Sequence, residues 1–517
     1  MDDSKDIGGD PSIHSEDTNQ QDDLEYKQDV EKQHIDNKVE DGAAADAEAH
    51  KDLNVVGWDG PDDPANPMNW PKVKKVGAIA VVSFITLLSP LASTMISPAT
   101  AEVMETFHST NETMGAFVTT VYLLGYVCGP LVLAPLSELY GRVIVYNVCN
   151  FVFLIFSIAC AVANSMGSLI VFRLFAGIAA SSPITLGAGT IADMIPLEKR
   201  GLAMALWILG PLLGPTCGPL AGGYLAEAKG WRWIFWVISI CAGVVCIVTL
   251  IFIRESYAYV ILQRKTTRLR KETGNQQLRS ALDTGRDPAE LFKFSIVRPI
   301  KMLVLSPIVL LMSLYQAIVY GYLYLLFTTF PRVFEGQYGF SQGSVGLTYM
   351  GVGIGSFIGL ILCAASSDRI VTTLTKRNGG TAKPEYRLPV MFIGSLAVPI
   401  GLFLYGWTAE KKVHWIAPII GTGFLGSGLF LIFLPTSSYL VDAYTVYAAS
   451  VSAAATVFRS LLGALLPLAG NSMYDALDVG WGTSLLGFIA VAFIPVPLIF
   501  WMFGQRIRES RFAQVQF

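Results

Sequence analysis

Past residue 70 the chain is a succession of apolar runs broken by short polar segments. Each run has roughly the 20 residues that a helix needs to cross a bilayer. They predict spans at 76–98, 115–137, 143–163, 168–192, 201–225 and 231–253, then at 303–330, 344–365, 388–408, 413–440, 448–474 and 481–504. That gives twelve crossings in two groups of six, with the tenth and eleventh nearly fused around Asp442. The expected organisation is an acidic tail with an interfacial lead-in over 1–70, a six-helix bundle over 71–253, a basic linker over 254–301, a second six-helix bundle over 302–505 and a tail over 506–517. The Pro- and Asn-rich lead-in, Trp58 to Trp70, is expected to be extended at the membrane surface.

Composition places these helices in lipid. The chain is 52% hydrophobic and 15% charged, whereas a soluble domain carries about 25% charge. An all-α integral membrane fold follows. Residues 1–50 hold 16 acidic and 4 basic side chains although the whole chain is only −3, so an acidic tail precedes a mildly basic membrane body. That tail lacks the basic start and apolar core of a secretory signal, so the first span is expected to act as the targeting signal. Low basic content leaves no footprint for nucleic acid. With the N-terminus cytosolic, inner segments after residue 70 hold 25 Lys/Arg and outer segments 5. The asymmetry predicts that both termini and the 254–301 linker are cytosolic. The sequon Asn111-Glu112-Thr113 then falls in the first outer loop, open to glycosylation. The linker reads either as a solvated connection or as an interfacial helix on anionic lipid.

Several chemistries are excluded. The seven Cys all fall in apolar stretches, where they read as small buried hydrophobes. The five His (His14, His34, His50, His108, His414) lie in the tail or in outer loops. Intramembrane catalysis by a Ser–His or Cys–His pair has no base, and a His-based metal site has no ligand. No phosphate-binding GxxxxGK[ST] loop occurs. Neither an enzyme, a cofactor nor a metal site is expected; the partners are a small-molecule substrate and the bilayer, and the chain is expected to be a monomer.

The two groups carry traces of a repeat. PLSELYGR (135–142) follows the second span and SSDR (366–369) the eighth, six spans on; GPLAGG (218–223) ends the fifth and LPLAGN (466–471) the eleventh. Two related bundles with a cavity between them near the midplane are the expected result. Between spans two and three, Glu138, Gly141 and Arg142 form a turn that can latch the inner face, Glu138 against a helix N-terminus of the other half and Arg142 against Asp193. Its alternative is an ordinary interfacial turn. Arg173 lies inside span four, where a charge faces a cavity or a partner, or snorkels. Arg459 is similarly placed in span eleven and can pair with Asp442 or a carbonyl. Span five interleaves Gly210, Gly214, Gly218 and Gly222 with Pro211, Pro215 and Pro219, followed by Gly223. The glycine stripe permits close helix approach, and the prolines make a helix that bends or slides. In span seven Gln316 and Tyr320 share a face and are cavity candidates or packing residues.

These residues resemble the major facilitator superfamily, and most closely its twelve-span drug:proton antiporter group of fungi, over about residues 58–512. PLSELYGR resembles the inner-loop signature, with Glu138 where Asp is commoner. Arg173 with Gly177 resembles the span-four signature, and GPTCGPLAGG the span-five antiporter signature. DPANPMNW and RESYAYVILQRKTTRLRKETGN resemble the fungal group in particular. The resemblance implies the major facilitator fold, alternating access and proton-driven export of drugs, toxins or secondary metabolites at the plasma membrane, a multidrug efflux pump. It also implies a gate formed by Glu138, Arg142 and Asp193, and a coupling role for Arg173. No span holds a central Asp or Glu, so coupling to a proton gradient comes from the resemblance alone. The alternatives are a proton-coupled importer of a small organic nutrient and a polyamine exporter; the missing acidic cluster disfavours the latter. An integral-membrane enzyme or a transporter-like sensor is less well supported.

Overall fold

In the computed structural model, residues 54–196, 199–283, 288–381 and 383–509 are described; the acidic tail before them and the end of the C-terminal tail lie outside. Among the described residues, eleven helical stretches are long and apolar enough to cross a membrane. The last, Ala448–Arg508, has 61 residues, far more than one crossing needs. Asp478, at φ 57° and ψ 174°, breaks it. A Cβ on Gly482 would fall 2.7 Å from the Tyr474 ring, as in a tight reversal. It is therefore two crossings, 448–477 and 479–508, twelve spans in all. The near-fusion of spans lies here and not at Asp442, where the chain leaves the tenth helix at Ala443 and turns before Ala448.

The packing order repeats. Span one lies on span five, two on four, and three on four and six. Six spans later, seven lies on eleven, eight on ten, and nine on ten and twelve. The two groups are thus two six-helix bundles of one design. They meet along two seams, span two with eleven and span five with eight. We call the face carrying Lys72 and Arg508 the near face and its opposite the far face.

Local chemistry explains departures from the expected boundaries. The lead-in is folded, not extended. The Asp63 carboxylate accepts from the backbone N–H groups of Asp59 (2.9 Å) and Ala65 (2.8 Å), and Asn66 caps a short 3₁₀ turn over Pro67–Asn69. Trp70 is buried among Ile79, Ile191 and Met194, with the Lys74 ammonium 3.5 Å from its ring centroid. Span seven starts at Pro307, where Ser306 caps it, after a separate helix Pro288–Leu305. Span eight runs on to Arg377, so Ser366–Arg369 are helical and follow no loop. Among the cysteines, Cys149, Cys160 and Cys363 are buried, but Cys217 is exposed.

A small unit, described by itself, contains Asn54–Gly57 and Gln263–Ala281. Val55 and Val56 pair in parallel with Arg279 and Ser280. Lys265 donates to the Gly57 carbonyl (3.0 Å) and Arg270 to that of Leu278 (2.8 Å). Helix Ala258–Thr273 supplies both cations.

Candidate functional site

The near-face turn between spans two and three is one residue, Gly141. Its φ is +102°, and a Cβ there would fall 2.2 Å from Glu255 Oε2. Glu255 sits against this glycine because it caps span three. Its carboxylate accepts from the N–H of Arg142 (3.0 Å) and of Val143 (3.4 Å), satisfying two donors at a helix start that carries partial positive charge. The buried Arg142 guanidinium donates to Ser137 Oγ (2.6 Å) and Asp193 Oδ2 (3.4 Å) and lies 4.8 Å from the Tyr257 ring centroid. Ser256 Oγ donates to the same Asp193 oxygen at 3.3 Å. Burial and the neighbouring Glu138 push the Tyr257 phenol above its ordinary pKa, keeping it neutral. Arg142 and Asp193 therefore meet. Glu138 is exposed and makes no hydrogen bond among the described residues; the acid at a helix N-terminus is Glu255, from the same bundle. Sequence reasoning missed Glu255: an acid just after a span end is ordinary in the sequence, and only the fold sets it against the start of span three.

Gly141→Ala is accordingly expected to displace Glu255 and strain the turn. The cost is about 1–3 kcal/mol, read as a lower melting temperature of the purified protein. An unchanged melting temperature would show that the turn relaxes freely.

Arg173 is 1% exposed and lies about 11 Å into its helix from the far face, at 1.5 Å per residue. It donates to the carbonyls of Ser93 (2.8 Å), Thr119 (3.3 Å) and Ala92 (3.5 Å). Its partners have a local cause. The first helix of span one ends at Thr94, just past Ala92 and Ser93. The last turn thus exposes carbonyls and negative partial charge, and the guanidinium covers them. Tyr122 and Phe235 rings lie 5.3 and 5.7 Å from it. Arg173 forms no salt bridge among the described residues.

The same stretch of span one carries Ser89, Ser93 and Ser97 on one face, each opposite a tyrosine from another span. Ser89 Oγ lies 2.7 Å from Tyr126 Oη, Ser93 Oγ lies 3.3 Å from Tyr324 Oη, and Tyr349 donates to Ser97 Oγ at 3.2 Å. Tyr324 and Tyr349 belong to the second bundle, so this row of hydroxyls links the bundles. In the sequence it was hidden by its ordinary composition: a four-residue serine period inside an apolar span.

Span five runs unbroken from Gly201 to Lys229 through its prolines. Each stripe glycine lies on the backbone of span one. A Cβ at Gly210 would meet Leu87 N (2.7 Å), at Gly214 Leu91 N (2.9 Å), at Gly218 Leu91 O (2.8 Å) and at Gly222 Met95 O (1.9 Å). Gly223 faces the other way, 2.4 Å from Gln342 O of span eight. Pro215 and Pro219 punctuate this helix, and the Pro219 carbonyl lies 2.6 Å from where a Gly346 Cβ would be. Span five thus packs between one neighbour in its own bundle and one in the other.

At the far face, Arg332 of span seven pairs with Asp475 (2.6 Å) and with Glu112 of the first bundle (3.6 Å). Glu227, ending span five, accepts from the Gly343 N–H (2.9 Å) and Ser341 Oγ (3.2 Å) at the start of span eight. Asn111, exposed beside Glu112, caps span two by accepting from Met114 N (3.2 Å).

Gln316 is buried, donates to Ser437 Oγ at 3.3 Å, and leaves its own carbonyl oxygen without a partner. Tyr320 is half-buried, its ring 5.1 Å from that of Tyr324. Arg459 does not pair with Asp442, which accepts from Arg387 at 2.5 Å. It lies 5.1 Å from the Tyr320 ring centroid and 4.8 Å from that of Phe433.

Two like bundles, seamed by hydroxyls and rings near mid-depth and latched at one face, define a membrane transporter of the two-bundle type. The chain belongs to the Major Facilitator Superfamily, whose family model matches residues 82–467. It is similar to the MFS-type transporter penM of Penicillium rubens, 58% identical over 90% of this chain and 92% of that protein. It is similar to the efflux pump radE of Floropilus chiversii, 49% identical over 91% and 87%. Among solved structures it resembles the partially occluded, inward-open xylose transporter XylE from E. coli, with a TM-score of 0.62 and 16% identity over 84% of this chain and 98% of that one. At that identity the likeness concerns the fold alone.

Proposed function

We propose that this chain exports hydrophobic or amphipathic small molecules, of the drug, toxin or secondary-metabolite kind, in exchange for protons. The observation that carries the reading is the seam between the bundles. Phenols and rings from both sides, with no carboxylate at mid-depth among the described residues, suit a flat, largely apolar molecule. The Floropilus relative is named an efflux pump, which supports the outward direction. In this reading residues 71–253 and 302–505 are the moving bodies, tied by the 254–301 linker. The near face is cytosolic, both termini lie there, and the membrane is the plasma membrane. Asn111 then faces outside, where its amide nitrogen can take a glycan. One chain holds both bundles, so a monomer suffices.

Alternating access assigns work to the contacts. The far-face latch, Glu112–Arg332–Asp475 and Glu227 on span eight, holds the outer path shut while the near face loads. Glu138 and the Arg142–Asp193–Glu255 cluster set the near-face gate. Span five turns against span one on its glycine stripe. Arg173 holds the broken end of span one, and either it or Arg459 can relay the state of the site to the proton. The symport reading has no comparable support, because the xylose proteins share only the fold.

Efflux from cells expressing the full chain, loaded with a panel of toxins and dyes, tests the proposal. Extrusion is expected with a proton gradient and should fall at least tenfold when a protonophore collapses it. Net accumulation of a panel compound, or extrusion indifferent to the gradient, would contradict it.

A further inference from the structure

We infer that Arg459 binds the anionic group of the transported molecule, and that the substrate class is an aromatic amphipath bearing a carboxylate or similar planar oxyanion. The inference rests on the export reading above and narrows it.

Arg459 lies about 17 Å into its helix from the near face, at 1.5 Å per residue. A guanidinium does not lose its proton at any physiological pH. A permanent charge at that depth is costly and needs a partner. Five other arginines in or at the ends of the spans have theirs. Arg142 has Asp193, Arg332 has Asp475, Arg387 has Asp442, Arg508 has Glu385, and Arg173 has three carbonyls. Arg459 makes no hydrogen bond or ion pair among the described residues, and its Nε is enclosed without an acceptor.

What surrounds Arg459 is aromatic and comes from both bundles. Tyr320 and Phe433 offer ring faces, which attract a cation but accept no in-plane hydrogen bond. Tyr324 and, from the first bundle, Tyr126 also stand in its neighbourhood. One turn on, a Cβ at Gly463 would lie 3.0 Å from Leu123 of the first bundle and 3.0 Å from Tyr320. Arg459 therefore stands at the seam, where the bundles must part during transport. Its five N–H donors form a rigid fork that matches a carboxylate edge, and the rings around it can hold an aromatic body. A polycation would meet repulsion there, consistent with the lack of acidic residues at mid-depth.

The test uses the purified full chain in lipid nanodiscs and three probes on one ring system: 1-naphthaleneacetate, its methyl ester and 1-naphthylmethylamine. The acid should bind at least tenfold more tightly than the ester or the amine. Arg459→Gln should bring the acid down to the ester's level and leave the ester unchanged. Arg459→Lys, which keeps the charge and loses the fork, should fall between. Equal binding of acid and ester by the unaltered protein, preference for the amine, or absence of acid binding at millimolar concentration overturns the inference without reference to any variant. So does unchanged acid binding in a folded Arg459→Gln protein. Gradient-dependent export of neutral or cationic compounds that survives Arg459→Gln would sink this inference and leave the export reading standing. Loss of all gradient-dependent export in the unaltered protein would sink the export reading instead.

Discussion

Arg173→Met is expected to reduce export at least tenfold and to lower the melting temperature. Methionine fills much of the same volume but offers no donor. The carbonyls of Ala92, Ser93 and Thr119 would lose their acceptance from the guanidinium. Each buried polar group left unpaired costs about 1–3 kcal/mol, and one such loss at the low end already approaches a tenfold change. Two of the carbonyls sit where span one breaks, so the loss should appear as a misplaced Ser93 and Ser97, and through them as a disturbed seam. Arg173→Lys should be intermediate, because a single ammonium does not reach three acceptors on two helices in one geometry. If Arg173 acts by holding span one, the residual export of Arg173→Lys keeps the same dependence on the proton gradient as the unaltered protein. Export that becomes independent of the gradient would instead place Arg173 in coupling. Unchanged export in Arg173→Met would remove it from both roles.

The second large effect concerns adjacent glycines with different neighbours. A Cβ at Gly222 would lie 1.9 Å from the Met95 carbonyl oxygen within the first bundle. Backbone cannot swing aside, so Gly222→Val must push span five off span one. Overpacking of this kind costs about 1–3 kcal/mol, and a lower melting temperature with little folded protein is expected. A Cβ at Gly223 would instead lie 2.4 Å from Gln342 O of the second bundle. Gly223→Ala should leave each bundle intact and part the bundles at the far face, so it should be read in conformation and transport more than in melting. Gly77, inside span one with nothing within 4 Å of its would-be Cβ, is the control. Gly77→Ala should be neutral or stabilise by about 0.5–1 kcal/mol. Equal melting temperatures for the Gly222 and Gly77 variants would contradict the packing role of the stripe.

The fold was readable because lipid forces a simple code: length and hydropathy alone locate the spans. Boundaries went astray where polar chemistry overrides that code. The Ser306–Pro307 cap starts span seven after a separate helix, where hydropathy alone begins it at 303, and span eight runs on as helix to Arg377. The glycine stripe was legible as a close-packing face, but the sequence could not say that its partner is span one, since that depends on the bundle. Arg142 with Asp193 could be guessed from charge at two span ends. Glu255 could not, because its role depends on Gly141 adopting positive φ and leaving room for a carboxylate. Arg459 illustrates the opposite limit. Its sequence position admitted a pair with Asp442, and only the placement of Arg387 beside that acid leaves Arg459 without one.

The central claim is that two bundles rock about the seam and open to alternate faces. Distances between spin labels in the full chain test it most directly, with one pair at Thr110 and His414 on the far face and another at Leu202 and Thr373 on the near face. All four positions are exposed, and each pair joins the first bundle to the second. Between conditions with and without transported compound and a proton gradient, the far pair should lengthen as the near pair shortens. Changes of the same sign at both faces, or none at either, would contradict the account.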